Sequence, residues 1–206
     1  ILDGGENDNI ERKVFSIIEE VRKRGDKALI HFTEKFDGVK DIKIKVSEAE
    51  IVKAKKNLDR KILQVIELAK KRIERYHRKQ IPRTFTLKEK GFSVKFEFSP
   101  VKRAGIYIPA GQSPLVSTVL MTVVPAYVAG VKEIYVASPP SFHNSVHPFI
   151  TGVLGYLGIR DIYAVGGAQA IAAFVYGTET VPKVDVIAGP GNKYVNTAKV
   201  LLSGKV

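Results

Sequence analysis

The 206-residue sequence contains no cysteine, no tryptophan and a single methionine. The lack of cysteine excludes disulfides, thiolate zinc sites and cysteine nucleophiles, and we expect a cytoplasmic protein. No apolar run reaches the roughly 18 uncharged residues that span a bilayer, because the longest candidate, 113–130, is interrupted by Pro114 and Pro125. A hydrophobic fraction of 45% without low-complexity tracts is instead typical of a globular protein.

Acidic residues are outnumbered by basic ones, 21 to 33, which gives a net charge of +12. The densest basic cluster, Lys70 to Lys79, nevertheless has Glu67 and Glu74 at helical spacing. Opposite charges three or four residues apart favour a solvated, salt-bridged helix face, so we expect no nucleic-acid partner. A basic nucleic-acid-binding module remains the alternative function.

Glycine and proline are scarce in the first hundred residues, with five and two, against twelve and eight in the rest. This change predicts two domains: a helix-rich α+β region over 1–100, which is part of a first domain, and a second domain over 101–206.

In the first region, capping patterns predict helices that start at Asp8, with Glu11 as its partner, and at Asp26, with stops at Gly25 and Gly38. The remaining predicted elements are a short strand over 42–46, one long helix or two within 47–81 with a break near 57–59, and a hairpin over 84–98.

In the second region an apolar strand, a turn rich in Gly, Pro or Ser and a helical segment follow one another four times. The strands are predicted at 104–108, 133–137, 162–165 and 184–188, and the helices at 115–129, 145–157, 168–176 and 193–202. Four such units imply an α/β fold, with a parallel sheet, right-handed crossovers and helices on its faces.

Ligands of open α/β sheets bind beyond the carboxyl ends of the strands. Three of the four turns there contain glycine and lead into a helix: 109–112, 166–169 and 189–192. Tight turns alone would explain each glycine, but three at one edge favour a phosphate-bearing ligand, which binds free N–H groups at a helix start. The G-x-G-x-x-G fingerprint and the P-loop are absent, so a dinucleotide would bind in a variant manner.

Three side chains at this edge are candidate ligand contacts, each with an alternative. Tyr107 either packs in the core or forms a wall of a nucleotide site. Gln169 either reaches a ligand or faces solvent, and Asn192 either caps its helix or binds a ribose or phosphate. Catalytic groups are few: His143 and His147 are the only histidines four residues apart, and the prolines around them argue against a metal pair.

Several runs resemble those of histidinol dehydrogenases, in order and over essentially the whole chain. They are FDG at 36–38, GIYIP at 105–109, GGAQAIAA at 166–173 and GPGN at 189–192. Ala110 is a departure, since the family usually has a second glycine there.

The resemblance implies a homodimeric, zinc-containing, NAD-dependent oxidoreductase of histidine biosynthesis, which converts L-histidinol to L-histidine through the aldehyde. It implies a Rossmann-like fold of the aldehyde-dehydrogenase kind, in which 101–206 binds NAD through Tyr107, Gln169 and Asn192. The family's zinc ligands, substrate contacts and Glu-His acid–base pair follow the GPGN helix. The resemblance therefore identifies this chain as an amino-terminal portion that is inactive alone, with exposed apolar surface in its first half. A regulatory module without catalysis is a further alternative.

Overall fold

The computed structural model describes residues 4–111 and 113–206, with side chains from residue 8 onward. Its helices are α1 (Gly4–Arg24), α2 (Asp26–Asp37), α3 (Glu48–Lys56), α4 (Arg60–His77), α5 (Val116–Ala129), α6 (Pro148–Tyr156), α7 (Gly167–Tyr176) and α8 (Lys193–Leu201). Its strands are β1 (Phe85–Glu89), β2 (Phe92–Phe96), β3 (Arg103–Tyr107), β4 (Glu133–Ser138), β5 (Ile162–Ala164) and β6 (Val186–Ala188). Gln112, the last residue of the predicted 109–112 turn, lies outside the described residues.

The last four strands form a parallel sheet in the order β5-β4-β3-β6. Tyr107 of β3 pairs with Ala137 of β4, and Ile106 pairs with Ala188 of β6. Every predicted strand and helix of this half is present, with boundaries shifted by at most three residues. The predicted α/β class is therefore confirmed, because apolar strands joined by helices are buried from both sides in a parallel arrangement.

Successive residues of the strands enter two different hydrophobic cores, as the pleat requires. Tyr107 and Tyr163 lie in a core with residues of α1, α2, α7 and α8. Ile106 and Ile162 lie in a second core with residues of α3, α5 and α6. Helices from the first hundred residues thus cover both faces of the sheet, and the predicted division at residue 100 stays a prediction.

Two predicted helix caps are wrong. Asp8 lies inside α1, since the helix extends back to Gly4. An acidic residue followed three positions later by Glu also occurs inside helices, so the spacing of Asp8 and Glu11 does not by itself locate the start of the helix. The second helix starts as predicted, but Asp26 is its first residue and Gly25 its cap. The Asp26 carboxylate instead accepts hydrogen bonds from the backbone and hydroxyl of Thr180, on the loop after α7.

The region between α2 and the hairpin differs from the prediction in one element. Residues 42–46 form no separate strand, but Val46 donates to the carbonyl of Ile162 (2.9 Å) and Ala164 to that of Ile44 (2.7 Å), alongside β5. The predicted break near 57–59 is confirmed, because Asp59 caps α4 through the N–H groups of the two residues that follow Arg60. The hairpin is confirmed as antiparallel β1 and β2.

The first two lysines of the basic cluster, Lys70 and Lys71 on α4, are paired with acidic residues, as the spacing predicted. The Lys70 ammonium lies 3.7 Å from the Glu74 carboxylate and 3.9 Å from that of Glu67, and Lys71 lies 3.8 Å from Glu67. Among the described residues, no helix is both long enough and apolar enough to cross a bilayer.

Candidate functional site

The carboxyl ends of β3, β5 and β6 meet at one edge of the sheet, and two glycine-bearing turns pack there against β3. Gly189 follows β6 with a φ of +120°, and a Cβ at this position would collide with the carbonyl oxygen of Tyr107. Only glycine fits such a position without strain. The two turns that lead into α7 and α8 are therefore both held against the end of the same central strand.

Tyr107 belongs to the core and to the edge at once. Its side chain is buried in the core, and its hydroxyl accepts the N–H of Gly167 at 3.1 Å. Burial raises the pKa of Tyr107, the nearby Asp37 carboxylate raises it further, and the Gly167 N–H lowers it. The phenol is therefore neutral at physiological pH, and it links β3 to the first residue of α7.

Gln169 lies in the first turn of α7 and is only 2% exposed, so the alternative of a solvent-facing side chain is wrong. It folds back over Gly167, where a Cβ would lie 2.6 Å from its Oε1. Its amide makes no hydrogen bond to any described residue, although buried polar groups normally have a partner. Gly166, the cap of α7, also supplies no side-chain acceptor. Apart from the Gly167 N–H, which Tyr107 accepts, the start of α7 therefore combines free N–H groups with an almost completely buried glutamine whose amide has no partner among the described residues.

Asn192 is the cap of α8. Its Oδ1 accepts the N–H groups of Tyr194 (3.0 Å) and Val195 (3.1 Å), so the capping alternative is confirmed. The side chain is exposed, and its amide NH₂ makes no hydrogen bond to a described residue. Capping therefore uses the Oδ1 acceptor of Asn192 and leaves its NH₂ donor available to a ligand.

The described residues offer zinc no ligand set, since no group of three or more His, Asp or Glu side chains comes together among them. His147 has a structural role, because its Nδ1 accepts the Phe149 N–H at 3.1 Å and caps α6. His143 lies in the preceding tight turn with a φ of +43°.

Two charged residues near this edge escaped the sequence analysis. The Asp37 carboxylate at the end of α2 lies close enough to Tyr107 to influence its pKa, and burial raises the pKa of Asp37 itself. Lys199 of α8 donates a hydrogen bond to the carbonyl oxygen of Gly189. No local pattern in the sequence could place Asp37 near the site, since it is 70 positions away from Tyr107. The spacing could have indicated Lys199, because it lies on the same helix face as Asn192.

A cleft at the opposite, amino-terminal edge of the sheet is lined by Lys132 and by three charged residues that bind other side chains, Glu133, Arg160 and Asp161. Tyr135 donates to Glu133 at 2.9 Å, and burial together with this hydrogen bond raises the pKa of Tyr135 to about 12. Arg160 and Asp161, which also line the cleft, pair with Glu48 and Lys45. These pairings are structural and leave the carboxyl edge as the candidate ligand site.

Known proteins agree with the resemblance seen in the sequence. The family model of histidinol dehydrogenase matches residues 3–206. A histidinol dehydrogenase from Synechococcus sp. is 44% identical over 199 residues, and one from Methanocaldococcus jannaschii is 42% identical over 195; the aligned regions cover 95% and 94% of this chain and 46% of each relative. A crystal structure of histidinol dehydrogenase from Elizabethkingia anophelis matches with a TM-score of 0.90 and 38% identity, over 95% of this chain and 46% of that chain. The chain thus spans about half the length of the curated relatives it matches. On this evidence the chain belongs to the histidinol dehydrogenase family.

Proposed function

We propose that this chain carries the NAD-binding part of a cytoplasmic oxidoreductase of histidine biosynthesis, which oxidises L-histidinol through the aldehyde to L-histidine. The supporting observation is Gln169, whose side chain is only 2% exposed and whose amide makes no hydrogen bond to a described residue. An unsatisfied buried amide costs about 1–3 kcal/mol, and a bound ligand that hydrogen-bonds to it removes that cost.

The residues at the carboxyl edge fit a dinucleotide. The uncapped start of α7 would bind a phosphate through its N–H groups, because the positive end of the helix dipole lies there. The Asn192 NH₂ and the Gln169 amide would bind polar groups of the ligand, and Tyr107 would form the wall between them. Bound NAD would accept a hydride from the substrate carbon, and these residues would orient it. A parallel sheet with helices on both faces supports a Rossmann-like NAD-binding domain over 101–206, of the aldehyde-dehydrogenase kind.

The chemistry itself needs groups that the described residues do not offer. Removal of a hydride from an alcohol requires a base for the hydroxyl proton and an electrophile that holds the oxygen. The second oxidation also requires an activated water. We infer that zinc, the substrate contacts and the acid–base pair come from sequence outside these 206 residues, in an enzyme that is a homodimer.

Hydrogen exchange tests the binding proposal directly. NAD should protect the amides of 166–169, Gly189, Gly191 and Asn192 from exchange, whereas protection restricted to residues 1–100 would refute the site. The variant Asn192→Ala should bind NAD about 5- to 30-fold more weakly, because one hydrogen bond worth roughly 1–2 kcal/mol is lost.

The matched control is Ser47→Ala, which removes the cap of α3 on the other side of the sheet. Both variants lose a helix cap, but only Asn192→Ala should lose NAD affinity; equal affinities would remove Asn192 from the site. The unmodified 206-residue chain, assayed with histidinol, NAD and zinc, should produce no NADH absorbance. Robust turnover would show that a catalytic set lies within these residues.

A further inference from the structure

The turn at 189–192 is held by side chains from the helix that follows it. Asn196 donates from Nδ2 to the carbonyl of Gly191 at 3.1 Å, and the Lys199 ammonium donates to the carbonyl of Gly189. Asn192, Asn196 and Lys199 are spaced by four and three residues, so they share one face of α8. The helix therefore reaches back along this face and engages two carbonyl oxygens of its own leading turn.

Ion pairing does not explain the position of Lys199. Its side chain is partly buried, and burial lowers the pKa of its ammonium. No described carboxylate lies within ion-pair distance of it; its partner is the neutral carbonyl of Gly189. Partial burial of an ammonium without a counter-ion is unfavourable, which argues for a role other than stability of the free chain.

The backbone of the turn has the polarity of an anion site. The carbonyls of Gly189 and Gly191 are both engaged by α8, whereas the N–H groups of Gly191 and Asn192 make no hydrogen bond to a described residue. Backbone turns that bind phosphate present N–H groups to the anion and keep carbonyl oxygens away from it. The carbonyl of Gly189 is the one that a cationic side chain engages.

We propose that Lys199 is a positioning residue of the cofactor site, whose ammonium fixes the Gly189 carbonyl and adds positive charge to the turn, so that the turn 189–192 and the start of α7 together receive the diphosphate of a dinucleotide. The inference rests on the proposed function and adds to it a residue that acts through the turn.

The test compares Lys199→Met, which removes charge and donor at similar length, with Lys199→Arg, which keeps both. Lys205→Met is the control, because it removes one positive charge at the exposed end of the chain. Affinities for NAD, ADP and adenosine are measured by calorimetry, together with the thermal unfolding temperature. Lys199→Met should lower the affinity for NAD and ADP by about tenfold or more and leave the affinity for adenosine unchanged, since adenosine has no phosphate. Lys199→Arg should recover most of the lost affinity.

Three outcomes would overturn the proposal. Lys199→Met could bind ADP with the affinity of the wild type, or it could lose as much affinity for adenosine as for ADP. The third is that Lys199→Arg recovers none of the lost affinity. If the wild-type chain binds none of the three ligands, the proposed function fails separately. In that case the hydrogen-exchange rates of the Tyr194 and Val195 amides, which donate to Asn192, still show whether Lys199 holds the turn in place. Faster exchange in Lys199→Met than in Lys205→Met would support positioning, and equal rates would refute it.

Discussion

Two regions rich in aromatic residues lie in opposite environments in this molecule. Phe174 of α7 is completely buried beneath the parallel sheet, where its ring lies against Gly105 of β3. In the hairpin, Phe85, Phe92 and Phe96 are exposed by 60%, 52% and 51%. Phe85 and Phe96 stack on each other with ring centroids 5.4 Å apart, but nothing described covers either face of their strands.

The difference shows that an apolar pattern specifies an element without specifying what covers it. Burial within the first hundred residues is itself uneven: α1, α2 and α3 contribute to the two cores, whereas the hairpin and the outer face of α4, with Ile62, Val65 and Leu68, stay exposed. A two-stranded hairpin is marginal without a packing partner. Much of the apolar surface expected in the first half therefore lies on these two elements, and the rest includes Phe15, Phe36 and Val52 on α1, α2 and α3.

A Phe→Ala substitution should change the free energy of unfolding very differently in the two regions, and this is the largest effect we expect. Phe174→Ala removes a fully buried ring and should lower the free energy of unfolding by about 3–5 kcal/mol, through lost burial and the cavity left behind. Phe92→Ala, half exposed on the hairpin, should lower it by less than about 1 kcal/mol. Urea denaturation measures both; similar values for the two variants would mean that the hairpin is buried in solution.

A glycine of α6 allows this helix to pack closely against α3, one of the packed helices of the first hundred residues. A Cβ at Gly152 of α6 would lie 2.7 Å from the carbonyl oxygen of Ala54 in α3. Alanine favours a helix over glycine by up to roughly 1 kcal/mol, but overpacking costs about 1–3 kcal/mol. Gly152→Ala should therefore lower the free energy of unfolding by about 1–2 kcal/mol, measured by urea denaturation. A stabilised variant would show that α3 and α6 are less closely packed.

The sequence predicts most of the parallel sheet because its signals are local. Apolar runs and glycine- or proline-bearing turns indicate each strand and helix without knowledge of the tertiary structure. The site is predictable only as positions along an edge. The position of Gln169 requires a glycine at 167, since a Cβ there would lie 2.6 Å from its Oε1, and the proximity of Asp37 to Tyr107 results from packing of α2. Cap patterns fail at Asp26 for the same reason, since a distant residue, Thr180, binds its carboxylate.

The smallest expected effect concerns the capping box of α3, which anchors that helix beside the sheet. The Ser47 hydroxyl and N–H donate to the Glu50 carboxylate at 2.8 and 3.1 Å. Burial by itself raises the pKa of Glu50, but the hydrogen bonds from Ser47, a hydrogen bond from Ser145 and the charge of Lys43 together outweigh it, so the pKa lies below the ordinary value of 4.5. The ionised carboxylate is therefore favoured by folding, and its contribution is complete above the unfolded pKa and lost as the pH falls through the folded one.

Glu50→Gln keeps an acceptor for the Ser47 N–H but does not titrate. The stability advantage of the wild type over Glu50→Gln should therefore be constant near neutral pH and shrink as the pH falls below 4.5. Thermal unfolding temperatures between pH 7 and pH 3 measure this difference. Glu34→Gln, on the exposed side of α2, gives the baseline for loss of one carboxylate. If the advantage of the wild type grew as the pH fell, the direction assigned to the Glu50 pKa would be wrong.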